Sequence, residues 1–241
     1  MLKNLSLIAL LGIAAVGLPS ELYAKSIKVT GTQKGVAAQS VIRQVAQQNV
    51  TIEFYSPSIV RVVKSDAKRG TSVQKKSYSV VLKPQQMNGI QIQENGDIVN
   101  IKSIFISVEL NQKTGEIRFL SNDGKLLLTD TKTRLEARKD ESNKGKYRIE
   151  QDFRLADDEA IYGLGQLRDV HMNQRGRQNI ELWNHNTYIA IPYFTSEKGY
   201  GLYWDNAGKT YFNDVVAAKN NSNQSPCTSF TSEVGTCADY Y

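Results

Sequence analysis

Trp183-Asn184-His185-Asn186 sets aromatic rings among amides, shortly after Arg175, and the chain's other histidine, His171, lies just upstream. This mixture suits neutral, hydroxyl-rich ligands: a ring covers the C–H face of a sugar while Asn, Asp or Arg side chains take its hydroxyls. Each residue also has a structural reading. Trp183, Tyr193, Phe194, Tyr200, Tyr203 and Trp204 alternate with small or polar residues, a spacing that equally fills a sheet interior. Arg175, between Gln174 and Gly176, equally suits bracing its own loop through carbonyl hydrogen bonds. A histidine paired with a carboxylate can move protons at an anomeric carbon, so His171 and His185 admit that chemistry too. Asp157-Asp158-Glu159 supplies carboxylates, but adjacent ones repel and fit a solvated turn better.

Other chemistries find less support. Gly163-Leu164-Gly165 lacks the following GK[ST] and helix of a phosphate loop. It reads as a strand whose backbone passes close to something bulky. Cys227 and Cys237 have too few ligating neighbours for a metal site, and no motif calls for a cofactor. In an oxidising compartment a local disulfide between these cysteines is expected, contributing about 2–3 kcal/mol in the chain-entropy model. Two free thiols are the alternative. The net charge of +6 is scattered over strands and turns, not gathered on one face as nucleic-acid binding requires.

The elements that must position these residues are strands. VTIEF and SIVRVVK read as a pair turning at Ser56-Pro57. Val36 to Val50 shows no clean helical stripe. YSVVL and IQIQ read as strands, then IVNIKS after Glu94-Asn95-Gly96-Asp97. Asn-Gly marks a hairpin because both residues tolerate positive φ. FISVEL and EIRFL flank Lys113-Thr114-Gly115, KLLLTD follows Asn122-Asp123-Gly124, and TRLEARK and YRIEQDF flank a charged loop. PYFT and YGLYWDN form a hairpin over Ser196-Glu197-Lys198-Gly199. Short strands with regular turns and no sustained helical period predict an all-β antiparallel sandwich. Its expected core includes Ile52/Phe54, Val60/Val62, Val80/Leu82, Ile104/Ile106/Val108 and Ile117/Phe119.

The chain has 241 residues and begins with an address. Leu5 to Leu18 is almost wholly apolar, Pro19 follows, and Leu22-Tyr23-Ala24 offers a cleavage site. The run is shorter than the about 20 residues needed to span a bilayer. It reads as a signal peptide over residues 1–24, predicting a periplasmic or secreted protein with no membrane anchor in its mature form.

The order YGLGQ…MNQRG…ELWNHNT…IPYFTSEKGYGLYWDN…TYFND resembles the N-terminal β-sandwich domain of glycoside hydrolase family 31, the retaining exo-α-glucosidases and α-xylosidases. VTIEFYSPSIVRVVK and GEIRFLSNDGKLLL extend the resemblance upstream, and SEVGTCADYY resembles the segment leaving that domain. The resemblance implies a galactose mutarotase-like β-super-sandwich over residues 25–230. It makes residues 231–241 the start of a linker to a (β/α)8 barrel carrying the nucleophile and the general acid/base, both aspartates. No W-x-D-M motif occurs here, since Trp204-Asp205-Asn206 belongs to the hairpin, so the chain alone is expected to be inactive. In that family a sandwich loop reaches the barrel mouth. By position this loop is Trp183-Asn184-His185-Asn186, which makes these residues and Arg175 the candidate contacts to an α-linked oligosaccharide. Many relatives carry an acidic residue near Asn186, so the amide leaves sugar preference open. A stand-alone carbohydrate-binding sandwich is the alternative.

Overall fold

The computed structural model describes residues 40–69, 75–85, 87, 89–168, 171–216 and 226–241. The expected signal peptide lies outside them. Strand β1 (Ser40–Val45) pairs with β2 (Gln48–Ser56), and β2 with β3 (Ile59–Asp66). Alternation builds one inner face: Val50, Ile52 and Phe54 are buried while Thr51 and Glu53 are not, as a two-residue side-chain period dictates. The fourth strand of this sheet is β16 (Ala238–Tyr240), antiparallel to β3 with Asp239 opposite Val63.

A second sheet faces it. Its order is β11 (Ile180–Leu182), β14 (Thr210–Val215), β15 (Cys227–Gly235), β9 (Tyr147–Arg154), β8 (Leu126–Ala137), β7 (Ile117–Ser121), β6 (Ile106–Asn111), β5 (Ile98–Lys102) and β4 (Gln91–Asn95). A third, small sheet joins β10 (Ile161–Gln166), β12 (Ile189–Ser196) and β13 (Gly201–Tyr203). A Trp204–Tyr240 bridge ties it to the first sheet. The strand pairs are antiparallel, and the architecture is the expected all-β sandwich. No helix among the described residues is long and apolar enough to cross a membrane.

Phe230 of β15 centres the core. It stacks on Trp204 (5.7 Å) and Phe194 (6.3 Å) and meets Phe212 and Phe153 edge-on. Beside these rings lies a buried polar cluster. Lys64 Nζ donates to Asp130 Oδ1 at 2.7 Å and to Gly115 O at 3.0 Å, Gln151 Nε2 donates to Asp130 Oδ1, and Tyr240 OH donates to Asp130 Oδ2. Burial, with Asp130 next to it, pushes the Tyr240 hydroxyl well above its ordinary pKa.

Four expectations need correction. Residues 231–241 are not a linker, because β15 runs to Gly235 and β16 completes the first sheet. The Cys227–Cys237 disulfide is not formed, and both thiols are free. Cys227 opens β15 and Cys237 lies past its far end. At about 3.3 Å per residue they sit roughly 25–30 Å apart, far beyond the about 7 Å limit between Cα atoms. Burial pushes the Cys227 thiol up to about 12. YSVVL forms no strand, and Ser77 Oγ accepts the Ser79 and Val80 N–H groups that a ladder would use. KLLLTD and TRLEARK are one strand, β8, bulged between Asp130 and Lys132.

The Gly163-Leu164-Gly165 expectation is met, and the bulky neighbour is the β12 backbone. A Cβ at Gly163 would lie 2.5 Å from Tyr193 O, and one at Gly165 would overlap Ile189 O and lie 2.7 Å from Ile191 N. Both glycines sit at positive φ beside a register shift.

Candidate functional site

The short strand β11 of the second sheet ends at Leu182 and releases Trp183-Asn184-His185-Asn186 as a loop that leads to β12 of the third sheet at Ile189. Its rings are used on one another. Trp183 and His185 stack at 4.9 Å, and His185 and Tyr188 at 4.6 Å. A His185–Tyr188 bridge closes the loop, with Tyr188 N–H on His185 O at 2.7 Å and Thr187 held at φ 67°. A β-branched residue at positive φ is costly, about 1–3 kcal/mol, so the surrounding contacts must hold it there.

The stack is anchored below by two residues that sequence reading missed. Glu181 Oε2 accepts the Trp183 indole N–H at 3.0 Å, and Lys209 Nζ reaches Glu181 Oε1 at 3.1 Å. The same ammonium lies 5.1 Å from the Trp183 ring centre and 5.0 Å from that of Tyr211. Glu181 and Tyr211 are direct partners across β11 and β14, so strand register delivers the cluster. Hydrogen bonds from Lys209 first, then from Trp183, hold the Glu181 carboxyl below its ordinary pKa. Glu181 had one visible signal, because i and i+2 share a face along a strand.

Asn184 Oδ1 accepts the Ala190 N–H at 2.7 Å, which fixes the base of the loop. Asn186 is exposed at its tip, and no described residue engages its amide. His185 Nδ1 lies 3.1 Å from Trp183 O, and His171 is exposed. Neither imidazole has a hydrogen-bonded carboxylate among the described residues. No group of His, Cys, Asp or Glu among the described residues is placed to hold a metal ion.

Arg175 takes the bracing role. Its Nη1 donates to Ala156 O (2.8 Å) and Glu159 O (2.7 Å), and its Nε donates to buried Asp214 Oδ2 at 2.9 Å. It stands apart from the loop, and its side chain is only 8% exposed. Arg175→Ala is expected to lower stability by about 3–5 kcal/mol by leaving buried Asp214 without its cation, though Gly176 N–H and Thr228 Oγ1 still donate to it, with oligosaccharide affinity unchanged at temperatures where the variant is folded. Calorimetry beside a binding titration checks this, and lost affinity at unchanged Tm would return Arg175 to the ligand. Glu159 is likewise internal, receiving Ser196 Oγ at 2.5 Å and the Tyr200 hydroxyl.

The model of one protein family, described as the glycosyl hydrolase 31 N-terminal galactose mutarotase-like domain, matches residues 49–213. An α-xylosidase of Saccharolobus solfataricus is 30% identical over 172 residues, which is 68% of this chain and 23% of that protein. The crystal structure of an α-xylosidase from Xanthomonas citri is 29% identical with a TM-score of 0.67, covering 74% of this chain and 19% of that one. A Flavobacterium johnsoniae dextranase structure complexed with glucose shares the fold at 21% identity and a TM-score of 0.65, over 87% of this chain and 25% of that one. The chain thus spans less than a quarter of the length of the Saccharolobus relative. The family model covers residues 49–213, more than half of the chain, and the chain belongs to glycoside hydrolase family 31 as its N-terminal galactose mutarotase-like domain.

Proposed function

We propose that this chain is the N-terminal domain of an exported retaining exo-α-glycosidase, of α-xylosidase or α-glucosidase type, acting in carbohydrate metabolism. It presents the Trp183–Tyr188 loop to an α-linked oligosaccharide held at a (β/α)8 barrel, which supplies the two catalytic aspartates. The observation that carries this reading is Asn186, whose uncommitted amide stands at the tip of a loop braced by a ring stack. A group fixed in this way can meet a sugar hydroxyl with little ordering cost. Export is supported by the apolar run before Leu22-Tyr23-Ala24.

The purified chain is expected to leave p-nitrophenyl α-xyloside and α-glucoside intact, and turnover with contaminating hydrolase excluded would overturn the reading. A coding frame running past codon 241 into a barrel with a W-x-D-M motif is the positive result. A stand-alone carbohydrate-binding sandwich is the second reading, favoured by a ring stack built wholly from this chain. It requires saturable oligosaccharide binding that weakens in Trp183→Ala and Asn186→Ala.

A further inference from the structure

The outer face of the first sheet carries a cluster of charges far from the ring stack in function. Strand register sets Glu53 of β2 opposite Arg61 of β3. Val63 lies two residues along β3 from Arg61, so its β16 partner Asp239 shares their face. Lys75 and Asp205 reach the cluster from outside the sheet, with Lys75 Nζ 3.1 Å from Asp239 Oδ2 and 3.4 Å from Asp205 Oδ2. Two cations therefore face three carboxylates, and with every group ionised one negative charge is in excess.

Geometry decides which carboxylate goes short. Arg61 gives Nε and Nη2 to Asp239 at 2.9 and 2.7 Å, Nη1 to the Tyr55 hydroxyl at 3.2 Å, and Nη2 again to Lys75 O at 3.3 Å. The Tyr241 ring covers the same guanidinium, 5.5 Å from ring centre to Cζ. Glu53 Oε2 is left 3.9 Å from Arg61 Nη1, and no described residue donates a hydrogen bond to it. From β1 its cross-strand partner is Ser40, which brings no charge. Yet the Glu53 side chain is only 27% exposed, so water replaces little of what it lacks. Burial raises its pKa above the ordinary 4.5, Arg61 draws it partly back, and Asp239 raises it again.

We infer that Glu53 is a proton-operated lock on the first sheet: in mild acid it takes up a proton, the cluster comes into charge balance, and β2, β3 and β16 hold together more tightly. The folded chain binds this proton more strongly than the unfolded chain does. Stability therefore falls as pH rises from 4.5 through the raised value, and is level above it. The inference goes beyond the proposed function, since it uses neither the loop nor a sugar and stands if that reading fails.

Glu53→Gln holds the neutral form at every pH. At about pH 7.5 it is expected to melt about 2–4 °C above wild type, and the gap is expected to close as the pH is lowered toward 4.5. An NMR titration of the Glu53 carboxyl carbon in the wild-type chain reads the same proton directly, with its midpoint expected above 4.5. Three results overturn the lock. A glutamine variant that melts below wild type at neutral pH shows that the Arg61 ion pair prevails. A gap that stays constant with pH assigns the effect to packing. A midpoint at or below 4.5 shows that Glu53 takes its proton no more readily than in an unfolded chain.

Discussion

A chain shortened to end at Cys237 is expected to lose the cooperative thermal transition that the full chain shows by circular dichroism. The deletion removes β16 and with it two buried partners, Asp239 and Tyr240, and the half-buried Tyr241. Asp239 accepts Arg61 Nε at 2.9 Å and Nη2 at 2.7 Å, and Lys75 Nζ at 3.1 Å. Tyr240 carries a hydroxyl to Asp130 and packs edge-on against Phe153 at 5.1 Å. Tyr241 pairs its backbone with Tyr203, N–H to O at 2.9 Å in both directions. Breaking one buried ion pair from one side costs about 3–5 kcal/mol, and a domain of this kind holds only about 5–15 kcal/mol in total. Asp239→Asn and Tyr240→Phe separate the two contributions at full length. A shortened chain that melts cooperatively within a few degrees of the full one would restore the linker reading of residues 231–241.

Gly165→Ala is expected to cost about 2–6 kcal/mol, combining about 1–3 for an unfavourable φ with about 1–3 for overpacking. The added methyl meets the backbone of Ile189 and Ile191, which cannot rotate away as a side chain would. Gly199→Ala is the control, because its φ is also positive, at 83°, and nothing lies within 4 Å of its Cβ. Chemical denaturation of both variants isolates the overlap, and equal losses would show that β12 simply moves aside. Ile189 follows Tyr188 directly, so a displaced β12 also displaces the loop that carries Asn186.

What sequence made legible was mostly local. Asn95-Gly96 announced the β4–β5 hairpin, and Gly96 adopts φ 60° at its turn. The β6–β7 and β12–β13 hairpins fell where their turn residues placed them. Period-2 patterning found Val62, Val108 and Ile117, which are fully buried, but failed for Ile104, which is 64% exposed, and for Val80 and Leu82. Val80 has strand composition, yet Ser77 bends the chain by bonding two amides ahead of it. Strand β1 was missed because its buried Arg43 breaks the apolar pattern while bonding Gln112 and Glu94 across the fold. The loop was legible as Trp183 to Asn186, but Lys209 was not. Only the β11–β14 register brings it under the indole, and register depends on pairings that no short stretch reveals.

The place of β16 beside β3 sets the timetable of folding during synthesis. Arg61 and Asp239 are 178 residues apart, so the first sheet waits until synthesis has passed Asp239. At about 5–20 residues per second that wait is roughly ten to forty seconds, during which β3 has one unpaired edge. Such an edge can recruit another nascent chain. A chaperone that shields β3 until Tyr240 emerges would therefore raise the yield of folded protein.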